Sequence, residues 1–204
     1  MREKKYHHGD LKNALIKAGI EILSQEGISA LSLRKVATKA GVSHAAPYSH
    51  FKDKQDLISS ISSEGFNRIY EKLTSRIKDI SDDYPEIKLK EAALAYLEFA
   101  LTDSDHFRII FSGIIEKDKE KYPEYIKSSL RCFTLVKNLV KECQQKGILE
   151  KCPLDEMTVA IWSLVHGFVS LLIDREFSHN LFEKETQQEL LIKLLNKITL
   201  KEIK

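Results

Sequence analysis

Apolar residues return every third or fourth position along nearly the whole chain, and no stretch sustains the alternation of two that a half-buried strand requires. This spacing predicts an all-α fold of about nine helices. Leu11, Leu15, Ala18, Ile22 and Leu23 mark the first, with Asp10 placed to cap it and Gly27 to stop it. A short second helix runs from Leu33 to Ala40, with Ser32 as its N-cap and Gly41 just past its end. A third is expected from a Ser43 cap towards His50, its start complicated by Pro47, which has no N–H to donate. Asp53 caps a long fourth helix that carries Leu57, Ile58, Ile61, Phe66, Ile69, Tyr70, Leu73 and Ile77, and Ser81-Asp-Asp-Tyr-Pro85 breaks it. Further helices are expected near 86–103 and 106–115, from Pro123 to Gly147, after Pro153, and around Leu190–Ile198.

Composition supports a sizeable core: 43% of the 204 residues are hydrophobic, and the 30% that are charged mix both signs. On this reading no apolar run approaches the roughly 20 residues that cross a bilayer. The basic start, Met1–Asp10, leads into no apolar segment of a secretory leader. The expected location is cytoplasmic, with no membrane partner. Cys132, Cys143 and Cys152 are odd in number and lack a Cys-x-x-Cys spacing, which argues against a disulfide framework. The net charge of +2 conceals an asymmetry. Up to residue 55 ten cations face five anions; beyond it the balance is 22 to 25. A basic head on a slightly acidic body is the footprint of a nucleic-acid binder.

The informative stretch is Ser32 to Phe51, which reads as a helix-turn-helix. A glycine at position 41 permits the left-handed backbone of a sharp turn. Ala37 is small enough for two helices to cross closely, and Leu33, Val36, Ala40, Val42 and Phe51 are spaced to face one small core. The remaining face is polar or thin, which suits a major groove. Ser43, Tyr48, His50, Lys52 and Lys54 are candidates to grip phosphates, with Ser32 at the preceding cap. His44, Ala45 and Ala46 form a sparse face able to approach base edges, supported by Arg34 and Thr38 from the preceding helix. A lysine at the start of a helix is unfavourable to the helix dipole, so Lys54 is read as answering to an external anion.

Over Leu11 to about Ile58 the chain resembles the TetR family of bacterial transcription regulators. The resemblance rests on Leu-x-x-Ala14, Gly27, Ser32-Leu-Arg, Val36-Ala37, Ala40-Gly41-Val42-Ser43, Tyr48, Phe51, Lys54 and Leu57. Trp162-Ser-Leu-Val-His166-Gly167, with His44-Ala-Ala-Pro-Tyr48 and Tyr6-His-His-Gly-Asp10-Leu11, is similar to one C-terminal subgroup of that family. Ser49 stands where many members have a basic residue. The resemblance implies an N-terminal DNA-binding domain over 1–56 and an effector-binding and dimerisation domain over 57–204. It implies a homodimer joined through the last two helices, a double-stranded operator of near-palindromic form, and a small-molecule effector.

An effector pocket, if lined by the body's aromatics, would draw on Phe66, Tyr70, Tyr96, Phe99, Phe111, Phe133, Trp162 and His166. Such a lining suits a mostly hydrophobic ligand. Aromatics at helical spacing are also usually ordinary core, and for Trp162 with His166, one turn apart, the core pair is the favoured reading over a ligand-facing role. Two other readings stand beside the ligand-responsive repressor. One is a DNA-binding regulator controlled by a protein partner. The other is a helical enzyme, disfavoured because no metal-ligand spacing, phosphate loop or nucleophile elbow is present in the sequence. No catalytic residue, metal or cofactor is expected.

Overall fold

The protein is described by a computed structural model over residues 8–177, 182 and 185–201. Among these residues there are eight α-helices, three short 3-10 turns and no strand. The helices are α1 (His8–Glu26), α2 (Leu33–Ala40), α3 (Lys54–Ile77), α4 (Pro85–Thr102), α5 (Ser104–Ile110), α6 (Pro123–Gln145), α7 (Leu154–Ile173) and α8 (Gln187–Leu195). The all-α reading therefore holds, and the count is close. Tyr6 and His7 lie outside the described residues.

By packing the chain divides into two compact units. The first comprises the chain up to Phe66 with Asp105–Ser129; the second comprises Asn67–Ser104 and Leu130 onward. Helix α3 contributes residues to both.

In the first unit α1 and α2 pack on one another around a core of Leu15, Ile22, Leu33, Val36, Phe51, Leu57, Ile58 and Ile61. Each such side chain, fully removed from water, contributes about 1.5–3 kcal/mol. Two sequence expectations need correction here. Helix α1 already begins at His8, so Asp10 lies inside it and does not cap it. The stretch expected as a third helix is a 3-10 turn, Ala46–Ser49, whose N-cap is Ala45 and not Ser43. The cause is Pro47. A Ser43-capped α-helix would open with an N–H from residue 47 to the Ser43 carbonyl, and proline has none. The Ala46 N–H donates to that carbonyl instead, at 3.0 Å, and the tighter winding continues with Tyr48 N–H to Ala45 O at 3.2 Å. Further along, α5 lies close over α3 at Gly65, where an added Cβ would sit 2.3 Å from Ile110 Cδ1. His106, fully buried, meets the Ile61 carbonyl at 2.9 Å beside it.

In the second unit α4, α7 and α8 pack together. Ala95, Leu97, Phe99, Ile161, Val169, Leu191 and Leu195 are buried there. Helix α8 opens with a reciprocal cap: Thr186 Oγ1 accepts from Glu189 N–H at 3.2 Å, and the Glu189 carboxylate accepts from Thr186 N–H at 2.7 Å. A charged row on α3 faces one on α4, with Arg68 paired to Asp103, Lys72 to Glu98 at 2.8 Å and Arg76 to Glu91 at 2.8 Å. Helix α7 corrects the reading of apolar runs. Its 20 residues are long and apolar enough, by length and composition, to cross a membrane. The period-based reading missed this because Asp155, Glu156 and His166 punctuate the run.

Candidate nucleic-acid interface

The turn between α2 and the 3-10 segment is closed by its backbone. Gly41 adopts φ 70, in the left-handed region. Its N–H donates to the Thr38 carbonyl at 3.2 Å, and the Val42 N–H reaches back to the Ala37 carbonyl at 3.0 Å. These paired bonds satisfy two carbonyls left open by the end of α2. At the other end Ser32 Oγ accepts from Lys35 N–H at 3.1 Å. Asp53 does the same for α3, accepting from Asp56 N–H at 2.9 Å. Asp56 in turn accepts from Lys52 N–H at 2.9 Å. The sequence reading omitted Asp56, although the Asp53-x-x-Asp56 spacing is a recognisable cap signal.

These caps hold a thin polar surface outward. Ser32, Arg34, Thr38, Ser43, His44, Ala45, Tyr48 and Lys52 are exposed, while Ala46, His50 and Lys54 are half-buried. Tyr48 is 62% exposed, an unusual placement for an aromatic ring with an apolar core directly behind it. Pro47 and Phe51 face inward. His50 sits against Phe51, ring centroids 6.2 Å apart, and its Nε2 is buried with no hydrogen-bond partner among the described residues. Ser49 Oγ donates to the Ala46 carbonyl at 2.7 Å, so its hydroxyl serves the turn itself.

The basic charge of this region is partly spent internally. Lys35 pairs with Glu26, and Lys39 with Glu21 at 3.0 Å. Lys54 corrects the sequence argument: its ammonium donates to the Ile28 carbonyl, just after α1, so an internal acceptor already accounts for a lysine at the start of α3. Among the described residues Arg34 and Lys52 have no such partner, which leaves them as the cations beside the turn available to an outside anion.

Profiles of two families match the chain. "Bacterial regulatory proteins, tetR family" matches residues 15–61, enclosing the whole turn, and "Tetracyclin repressor-like, C-terminal domain" matches residues 89–195. The chain belongs to the TetR family. As a member it is a DNA-binding transcription regulator and not an enzyme. It is 25% identical over 186 residues to the HTH-type transcriptional regulator AcrR of Shigella flexneri, covering 85% of this chain and 81% of that protein. Its fold is similar to that of a protein of unknown function from Rhodococcus sp. RHA1, with TM-score 0.77, 24% identity and 96% and 97% of the two chains covered. It is similar in fold, too, to the fatty acid degradation regulator FadR of Bacillus halodurans, with TM-score 0.73, 20% identity and 94% of each chain covered.

In the TetR-type body, the aromatic residues singled out from sequence fall into separate groups. Phe66 and Phe111 meet edge to face at 5.8 Å in the first unit, with Tyr125 against Phe66 at the same distance. In the second unit Tyr70 carries the Arg131 guanidinium 3.6 Å above its ring, and Phe99 is buried. Tyr96, Phe133, Trp162 and His166 come together. Phe133 and Trp162 lie 6.0 Å apart, as do Trp162 and His166. Tyr96 Oη is hydrogen-bonded to His166 Nδ1 at 2.8 Å, and the Trp162 ring lies against the same imidazole. Burial holds His166 below the usual imidazole value and pushes the Tyr96 phenol well above its own. Both groups are thereby kept neutral. The Trp162–His166 pair is thus tied to α4 through one phenol, although Trp162 itself is 40% exposed. Burial also pushes Cys132 and Cys143 up to about 12, which keeps them as unreactive thiols.

Proposed function

We propose that this regulator is a homodimeric repressor that grips a near-palindromic operator through Ser32–Phe51 and leaves it when a small, mostly hydrophobic effector binds the body. Residues 1–56 do the DNA binding, and residues 57–204 bind the effector and dimerise. The observation that carries the reading is the exposed, thin face of the turn. Tyr48 stands out from a capped scaffold, with Arg34 and Lys52 uncommitted beside it. Ser43, Tyr48, Arg34 and Lys52 meet phosphates; His44, Ala45 and Ala46 face base edges. The protein works in the cytoplasm, where its DNA is.

The dimer forms through α7 and α8. Val159, Trp162 and Leu171 of α7 are 49%, 40% and 46% exposed in the single chain. Ala160, Ser163 and Gly167 fall along the same helix, and a Cβ on Gly167 would meet nothing within 4 Å. A row of small side chains flanked by large apolar ones lets a second helix approach closely. That use explains the apolar character of α7 without a membrane.

The test is selection of bound duplexes from a random-sequence library, followed by measurement of the mass of the complex and of affinity against salt. Two inverted half-sites bound by two chains, with affinity falling steeply as salt rises, is the expected result. A single half-site bound by one chain would refute the dimeric reading. Absence of any enriched site would refute DNA reading by the turn.

A further inference from the structure

One contact on the outward face of the turn assigns a chemical role to His44. Thr38 Oγ1 lies 3.1 Å from the Arg34 carbonyl and 3.2 Å from His44 Nε2. A threonine hydroxyl has one hydrogen to give, and a carbonyl oxygen can only accept. Both contacts are hydrogen bonds in one arrangement only: Thr38 donates to Arg34 O, and His44 donates its Nε2–H to Thr38. A neutral imidazole that carries its hydrogen on Nε2 has a bare lone pair on Nδ1. His44 is exposed, and among the described residues it has no other polar partner. Its neighbour Ala45 is exposed as well and too small to shield it.

We propose that Thr38 fixes His44 as a hydrogen-bond acceptor, and that His44 thereby selects a base with an exocyclic amino group in the major groove. Those groups are adenine N6 and cytosine N4. Guanine and thymine present oxygen lone pairs at the matching position, and these oppose the lone pair on Nδ1. Thr38 is therefore a positioning residue: it touches no base in this role and sets which atom of His44 does. The contact also ties the turn to α2, so the ring is held in place before DNA arrives. The inference rests on the proposed reading of DNA by Ser32–Phe51 and adds the class of base read.

The test uses the full chain. Duplexes are first selected with the unaltered protein. Affinities are then measured for all four bases at each half-site position, for the unaltered protein and for His44→Ala, Thr38→Ser and Thr38→Val. His44→Ala identifies the position read by His44, as the one whose preference it abolishes. There the unaltered protein should favour adenine or cytosine over guanine and thymine by roughly 3- to 10-fold, the size of one neutral hydrogen bond. Thr38→Ser keeps the hydroxyl and should keep the preference. Thr38→Val keeps the shape without the hydroxyl and should flatten the preference to within about 2-fold, while leaving the other positions and the salt dependence unchanged. A Thr38→Val protein with full preference would overturn the inference, as would a preference for guanine or thymine at that position, and either result would leave DNA reading by the turn intact. If no form enriched any duplex, the underlying reading would fall, and the inference with it.

Discussion

The turn at Ser32–Phe51 and the helical body use polar groups in opposite ways. Around Ser32–Phe51 several side-chain bonds span only three to six residues: Ser32 to Lys35 and Asp53 to Asp56 close caps, and Thr38 meets His44. Their effect is to hold other polar groups outward. In the second unit the notable polar bond is distant in sequence and turned inward. Tyr96 meets His166 across 70 residues, and burial holds both neutral. The contrast teaches that the polar face of the turn is shaped largely by bonds between near neighbours in sequence, whereas the body's polar pair depends on the packing of α4 against α7. Substitutions should separate the two.

The largest effect is expected behind the turn. Phe51 is 1% exposed, and Phe51→Ala should lower unfolding stability by about 3–5 kcal/mol in denaturant titration. Next is the turn's backbone. Gly41 has φ 70 with nothing within 4 Å of an added Cβ, so Gly41→Ala meets no clash and is strained only by its left-handed backbone. A cost of about 1–2 kcal/mol should appear in the same titration. In the body the signature is a pH dependence. His166 is held below the ordinary 6.5 by burial, so the unfolded chain binds the proton more readily. Stability contributed by neutral His166 is complete above that value and is lost as pH falls below it. The melting temperature should therefore drop on acidification, and the drop should be smaller in His166→Gln. The smallest effect belongs to the charged row between α3 and α4. Arg76 is raised chiefly by its hydrogen bond to Glu91, yet the pair is partly exposed. Arg76→Ala should cost no more than about 1 kcal/mol, and less at high salt.

The same contrast explains what was legible in the sequence. Caps and turn glycines act over a few residues, so Ser32, Gly41 and Asp53 could be read directly, and the period of three to four gave the helices of both units. Pro47 was visible, but its consequence needed the backbone. It turns a helix into a 3-10 segment and removes Ser43 as a cap. Lys54 was misread because its acceptor, the Ile28 carbonyl, is 26 residues away, and no pattern of residue types announces a backbone partner at that range. The aromatic residues of the body were legible as apolar but not as neighbours. Periodicity tells which side chains share a helix face, and only packing decides that Tyr96 joins Trp162 and His166 while Phe66 joins Phe111.

The most direct test of the central claim compares Tyr48→Ala with the unaltered protein on one selected operator at fixed salt, with the melting temperature of each measured alongside. Tyr48 is exposed and contributes little to the core, so stability should stay within about 0.5 kcal/mol. Operator affinity should fall by roughly tenfold, the size of one lost hydrogen bond and its ring contact. Equal affinity at equal stability would contradict the account.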